Sequence, residues 1–212
     1  MNEFIAKYGS KLLIAILQHI GYVTVSSVAA CVIAVFLGIL LSRFPKYSKI
    51  VMPFLGIFQT IPGIVFIGIL MMYTGMTPLT VIIALTVYAI FPILKNTYIG
   101  LTEIDRSYIE VARGCGMTNS RILFSVELPM AMSMIFAGIK MSVTYTVSWA
   151  VLAAMIGQGG LGEFIYRGID ANVKEYIIIG SIPTALLAIV FKQIIEAIEK
   201  KCISPGLKEE QQ

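Results

Sequence analysis

Charge is scarce in this chain and missing from long stretches of it. Asp, Glu, Lys and Arg make up 13% of the 212 residues. No charged side chain lies between Lys11 and Arg43, and none from Ile50 to Leu94. With 58% hydrophobic residues and a mean hydropathy of +0.87, an ordinary soluble domain is excluded. Cysteine is equally sparse. Cys31, Cys115 and Cys202 are far apart and form no C-x-x-C, so neither a disulfide framework nor a cysteine metal site is implied. His19 is the only histidine; at the start of an apolar run it reads as an interfacial residue rather than a ligand. No G-x-x-x-x-G-K-[ST] phosphate loop occurs, so the chain is not expected to hydrolyse ATP. No Asp or Glu falls inside an apolar run, which argues against a proton-coupled carrier. No cluster of His, Cys, Ser or carboxylates converges at one depth, which argues against a membrane enzyme.

What is present is bilayer-grade apolar sequence. A hydrocarbon core about 30 Å thick needs roughly 20 helical residues to cross it. The apolar runs predict spans over 20–41, 50–72, 79–94, 130–156 and 176 to about 195. The second and third are separated at Tyr73-Thr74-Gly75-Met76-Thr77-Pro78, where Gly and Pro favour a turn. The expected fold class is an all-α integral membrane protein of about five spans, or six if the N-terminal segment is counted. Residues 1–212 read as one membrane domain, with 1–19 an interfacial segment, 95–130 a polar loop and 196–212 a polar tail. The first run is too long for a signal-peptide core and should remain in the mature protein. Val28-Ala29-Ala30-Cys31 faintly resembles a lipoprotein cleavage site, but the sequence past Cys31 stays apolar where a mature lipoprotein would turn polar.

Short cytoplasmic loops collect Lys and Arg. With the 95–130 loop inside, the inner segments hold Arg43, Lys46, Lys49, Lys95, Arg106, Arg113, Arg121, Lys192, Lys200, Lys201 and Lys208. The outer segments hold Lys7, Lys11, Arg167 and Lys174. The expected topology is therefore N-out and C-in. This asymmetry accounts for the net charge of +4 without any nucleic-acid partner.

The polar loop has an internal design. Ser107 with Glu110 fits a capping box that would start one short helix. Gly114 and Gly116 would end it and reverse the chain. Thr118 or Asn119 offers a second start, and Ile122, Leu123 and Val126 repeat at helical spacing until Pro129 is expected to turn the path back to the membrane. A stiff knob results. A glycine-rich run, Gly157-Gln158-Gly159-Gly160-Leu161-Gly162, fits the dinucleotide fingerprint G-x-G-x-x-G literally. That fingerprint needs a preceding strand and a βαβ unit, so here it reads as an outer turn where helices pack closely.

In order, Glu110-Val111-Ala112, three residues, Gly116, nine residues, then Val126-Glu127-Leu128-Pro129 resembles the ATPase-docking loop of ABC-importer permeases, E-A-A-x3-G-x9-I-x-L-P. Val111 and Val126 depart from it conservatively. Gln59-Thr60-Ile61-Pro62, Tyr88 to Thr97, Ala137-Gly138-Ile139-Lys140 and Ala153 to Gly162 resemble permeases of osmoprotectant importers, which take up glycine betaine, carnitine or choline; Lys140 stands where those often have Arg. The resemblance implies a type I ABC-importer permease fold with cytoplasmic coupling helices in a prokaryotic plasma or inner membrane. It implies ABC ATPase subunits that bind ATP and Mg, a second permease, identical or related, and an extracytoplasmic solute-binding protein. The chain itself would carry no cofactor and no metal. Ser107, Glu110, Ala112, Gly114, Gly116, Ile122, Leu123, Val126, Leu128 and Pro129 are the docking candidates. The loop is shared by importers of many solutes, so another betaine-like compound or an amino acid stays open as cargo, and a self-sufficient carrier or channel is the rival from another class.

The apolar runs add a separate argument about cargo. A quaternary ammonium cannot donate a hydrogen bond and is held by aromatic faces at roughly 0.5–2 kcal/mol per contact. Tyr145 and Trp149 share a helix face on the fourth span, Tyr88 and Phe91 do so on the third, and Phe58 and Gln59 lie near the proline break of the second. Packing is the default reading of such aromatics, and only Trp149, the sole Trp, stands equally well as pathway lining. Lys140, ionisable inside an expected span, reads equally as a side chain snorkelling inward or one facing a water-filled cavity.

Overall fold

The computed structural model describes residues 2–203, with side chains from residue 9 onward. Every regular element among them is helical. α1 (Asn2–Arg43) is one long helix, and α2 (Pro45–Phe58) and α3 (Gly63–Thr74) follow it. Then come α4 (Pro78–Thr102), α5 (Arg106–Gly114) and α6 (Asn119–Ile122). A π turn (Leu123–Glu127) carries α6 into α7 (Leu128–Trp149), which ends in a 3-10 segment (Ala150–Ile156). α8 (Gly162–Asp170) and α9 (Lys174–Cys202) complete the chain. The Lys7 side chain and Lys208, counted in the charge asymmetry, lie outside the described residues.

Four helices are long and apolar enough to cross a membrane: α1 from Gly9, α4, the continuous run Asn119–Ile156, and α9. α2 and α3 make a fifth crossing when taken as one broken span. The chain is a multi-pass membrane protein with the expected number of spans. Their shapes differ from expectation in two places. The stretch 50–72 is no straight helix but turns by 95° between α2 and α3, because Pro62 has no amide to donate and disfavours helix at Ile61 before it. The third span continues past Leu94 to Thr102, since an exposed Lys95 does not interrupt helical hydrogen bonding.

α4 is the central helix. It buries Thr80, Val81, Leu85, Tyr88, Ile93, Leu94 and Thr97, among others, and packs along α1 and α7. The α4–α7 crossing is close because each helix offers a glycine. A Cβ placed on Gly138 would stand 2.8 Å from Asn96 Cβ and 2.9 Å from the Pro92 carbonyl oxygen, and one on Gly100 would stand 2.8 Å from Met134 Cβ. Small residues at crossings let backbones approach where lipid supplies no hydrophobic drive.

Pro92 inside α4 cannot donate to the Tyr88 carbonyl one turn earlier. The freed oxygen accepts from Gln59 Nε2 at 2.9 Å. In return Tyr88 Oη donates to the Ile61 carbonyl at 2.6 Å. The unwound backbone between α2 and α3 is thereby satisfied from α4, as a break in a spanning helix requires.

At the end away from the α5–α6 loop, Gly157, Gly159 and Gly160 all adopt positive φ and shape the expected close turn, with no strand before it. Tyr22 Oη donates to the Gln158 carbonyl at 2.9 Å, and the Gly160 amide donates to Gln18 Oε1 at 3.1 Å. His19 is not interfacial. It is fully buried, with Nε2 donating to the Val147 carbonyl at 3.0 Å, because α1 begins well before Ile20 and places this residue against α7. α8, not expected from the sequence, follows the turn.

Candidate functional site

The polar loop between α4 and α7 is an ordered two-helix unit. α5 starts on Asp105, whose Oδ1 accepts the Ser107 amide at 2.9 Å. Ser107 is thus not the cap. It lies inside α5, Glu110 is exposed a turn further on, and the expected Ser107–Glu110 capping box is replaced by a carboxylate at the positive helix end. The Ser107 amide, with its hydroxyl second, holds the Asp105 carboxyl below the usual carboxylate range. A lowered pKa means the cap is complete at neutral pH and is lost as pH falls below that range. Asp105→Ala is expected to speed hydrogen exchange at the Ser107 amide while leaving α4 and α7 protected, measured by exchange mass spectrometry; unchanged exchange at Ser107 would show the cap to be idle.

α5 ends in a Schellman turn. The Met117 amide donates to the Ala112 carbonyl at 3.1 Å and the Gly116 amide to the Arg113 carbonyl at 2.9 Å. Gly116 takes φ of +79°, which only glycine adopts without strain. Gly114 plays no such part: it is helical, with open space around it. Thr118 Oγ1 then accepts the Arg121 amide at 3.4 Å and starts α6. Ala112 and Ile122 are buried, while Leu123 and Leu128 pack against Leu101, Ala131 and Ile135 at the root of α4 and α7; Val126 is half-buried. The second helix does not stop at Pro129. In the π turn the Leu128 amide donates to the Leu123 carbonyl five residues back, and this wider turn gives the Pro129 ring room, so helix runs on unbroken into the span.

The outer surface of this unit is unusually apolar for a loop. Tyr108 and Val111 of α5 and Phe124 of the π turn are 45%, 68% and 67% exposed, beside exposed Glu110. Such a patch outside the spans fits a protein partner. Tyr108 and Phe124 are absent from the expected docking set, because neither belongs to the spaced pattern that picked out that set. Also missed was Glu127, buried and paired with Arg43 at the end of α1.

Among the pathway candidates, the fold gathers Phe58, Gln59, Tyr88 and Trp149 and adds Phe66. Ring centroids lie 4.0 Å apart for Tyr88–Trp149, 5.4 Å for Phe66–Tyr88 and 5.2 Å for Phe58–Phe66. The cluster sits at the α2–α3 break and holds rings edge-on to one another, an arrangement favourable to aromatic pairs. Phe91 stands apart, near Gly56, and Tyr145 is half-exposed one turn before Trp149. Lys140 donates to Glu199 of α9 at 2.8 Å, so the ionisable residue of α7 has its counter-charge on the last helix. Near the glycine turn a cavity of about 690 Å³ is lined by Lys11, Gln18, Tyr22, Gln158, Arg167 and Tyr176 among others.

A helical membrane bundle with a broken second span and an ordered two-helix loop before the penultimate crossing has the architecture of a type I ABC-importer permease. Residues 11–204 match the family described as binding-protein-dependent transport system inner membrane component, and the chain belongs to that family. It is 37% identical to the carnitine transport permease protein OpuCB of Listeria monocytogenes over 207 residues, covering 97% of this chain and 94% of the relative. It is 35% identical to the glycine betaine/carnitine/choline transport system permease protein OpuCB of Bacillus subtilis, covering 98% and 96%. Its fold is similar to a chain of the inward-facing MetNI methionine ABC transporter, with a TM-score of 0.78 at 22% identity, covering 91% of this chain and 96% of that one.

Proposed function

We propose that this chain is the membrane-spanning subunit of an ATP-driven importer that passes a small quaternary-ammonium osmoprotectant, such as glycine betaine, carnitine or choline, into the cell by alternating access. The near-full-length similarity to permeases named for these solutes carries the cargo reading, and the Phe58–Phe66–Tyr88–Trp149 cluster supplies aromatic surface of the kind a quaternary amine requires. The segment from Glu110 to Pro129 docks the partner ATPases, which bind ATP and Mg. A second permease completes the path, and an external binding protein delivers the solute at the glycine-turn end. The chain runs N-out and C-in, an orientation supported by eleven of its 16 Lys and Arg falling on the docking-loop side.

The test is ATPase stimulation in the reconstituted complex with its binding protein, across betaine, carnitine, choline and amino acids. Stimulation by at least one quaternary amine is expected, and stimulation by amino acids alone would overturn the cargo. Trp149→Ala is expected to lower quaternary-amine uptake roughly 2- to 30-fold, the loss of one cation–π contact of about 0.5–2 kcal/mol; undiminished uptake would remove Trp149 from the pathway.

A further inference from the structure

Glu127 is a buried carboxylate inside the docking segment, turned away from the exposed surface that the docking role uses. Its side chain is 5% exposed, and both of its oxygens are engaged by Arg43: Nη1 donates to Oε1 at 3.1 Å and Nη2 donates to Oε2. The partners are 84 residues apart in sequence. Glu127 closes the π turn below the docking unit, and Arg43 is the last residue of α1, with α2 starting two residues on at Pro45. Only the Glu127 half is buried, the Arg43 side chain being 44% exposed, and an apolar residue at 127 would fill the buried half without desolvating a carboxylate. A two-pronged guanidinium–carboxylate contact differs from apolar packing in resisting rotation and sliding together.

We infer that the Glu127–Arg43 pair is the coupling link that passes movement of the docked loop to the α1–α2 corner, and from there to the broken span that carries the aromatic cluster; both are positioning residues. The link rests on the docking reading above. α2 leaves that corner and ends at Phe58, a member of the cluster, so a displacement of Glu127 has a short, continuous path to the rings.

The test uses the full complex, reconstituted with its ATPase and binding protein, and reads solute taken up per ATP hydrolysed. For Glu127→Gln and Arg43→Gln the ATPase should still co-purify while this ratio falls tenfold or more, and the exchange Glu127→Arg with Arg43→Glu should restore at least half of it. A ratio within twofold of the parent in either neutral variant, or an exchange no better than the single changes, overturns the link. Should the neutral variants not accumulate, Arg43→Lys decides: it keeps the counter-charge and removes the fork, so a reduced ratio supports the link and a parental ratio overturns it. Failure of the unmodified chain to retain an ATPase would instead sink the docking reading.

Discussion

Glu110→Lys is expected to strip the partner ATPase from the purified complex and to abolish ATP-dependent uptake. The residue is exposed on α5, beside the apolar surface of Tyr108 and Val111, so its reversal leaves the fold alone and acts on whatever docks. A like charge placed against a partner's surface costs several kcal/mol, enough for a loss of affinity above a hundredfold. Gly116→Val should reach the same end by another route. At φ of +79° a β-branched residue is strongly strained, and relief of that strain re-aims α5 relative to α6. Co-purification and uptake measured together decide the matter. Parental levels of both in Glu110→Lys, or uptake that persists after ATP depletion, would mean that this segment is no docking site and would revive a self-sufficient carrier.

The second large effect belongs to folding. Gly138→Val should leave little assembled permease, because the new Cβ would press on Asn96 Cβ at 2.8 Å and on the Pro92 carbonyl oxygen at 2.9 Å. A flexible side-chain tip could yield, but a backbone carbonyl in a central helix moves only if α4 bends. Overpacking of this kind typically costs about 1–3 kcal/mol, a large share of a marginal stability. Gly21→Ala is the control. Nothing lies within 4 Å of its would-be Cβ, and the helix-interior glycine penalty of about 0.5–1 kcal/mol should be recovered. Detergent-solubilised thermal unfolding, followed by fluorescence-detected gel filtration, should separate the two, and equal midpoints would refute the crossing argument.

The spans were legible because bilayer crossing leaves a one-dimensional mark: uncharged stretches such as 50–94 are long enough to see. The proline break at Gln59–Pro62 was legible too, but its 95° turn was not, since the bend is held by hydrogen bonds from Gln59 to the Tyr88 carbonyl and from the Tyr88 hydroxyl to the Ile61 carbonyl, across helices. α8 was hidden by its composition, a nine-residue amphipathic helix with Glu163 and Arg167 in an ion pair on its exposed face, which reads as loop beside apolar spans. In the docking unit, the turn at Gly116 and the start at Thr118 came from local backbone rules. The cap did not, because Asp105 starts the helix two residues earlier by accepting the Ser107 amide, which places Ser107 inside the helix where it can no longer cap it. Glu127 looked like a variable position between apolar neighbours; its burial arises only from where α1 ends. Three of the four rings of the aromatic cluster were sequence candidates, but with other neighbours, Tyr88 beside Phe91 and Trp149 beside Tyr145, and their gathering depends on the fold. Phe66 escaped because it lies on α3, beyond a break whose geometry brings it back.

The unbroken helix from Asn119 to Ile156 makes the two membrane faces mechanically opposite. At 1.5 Å per residue its 38 residues form a beam about 57 Å long. A tilt of about 5° around its middle would carry each tip about 2.5 Å, in contrary directions. One tip lies in the docking unit and the other runs into the glycine turn that α1 holds through Tyr22 and Gln18. In the alternating access proposed above, a see-saw of this length would move the two ends of the path in opposite senses at once, so no separate signal would have to cross the bilayer.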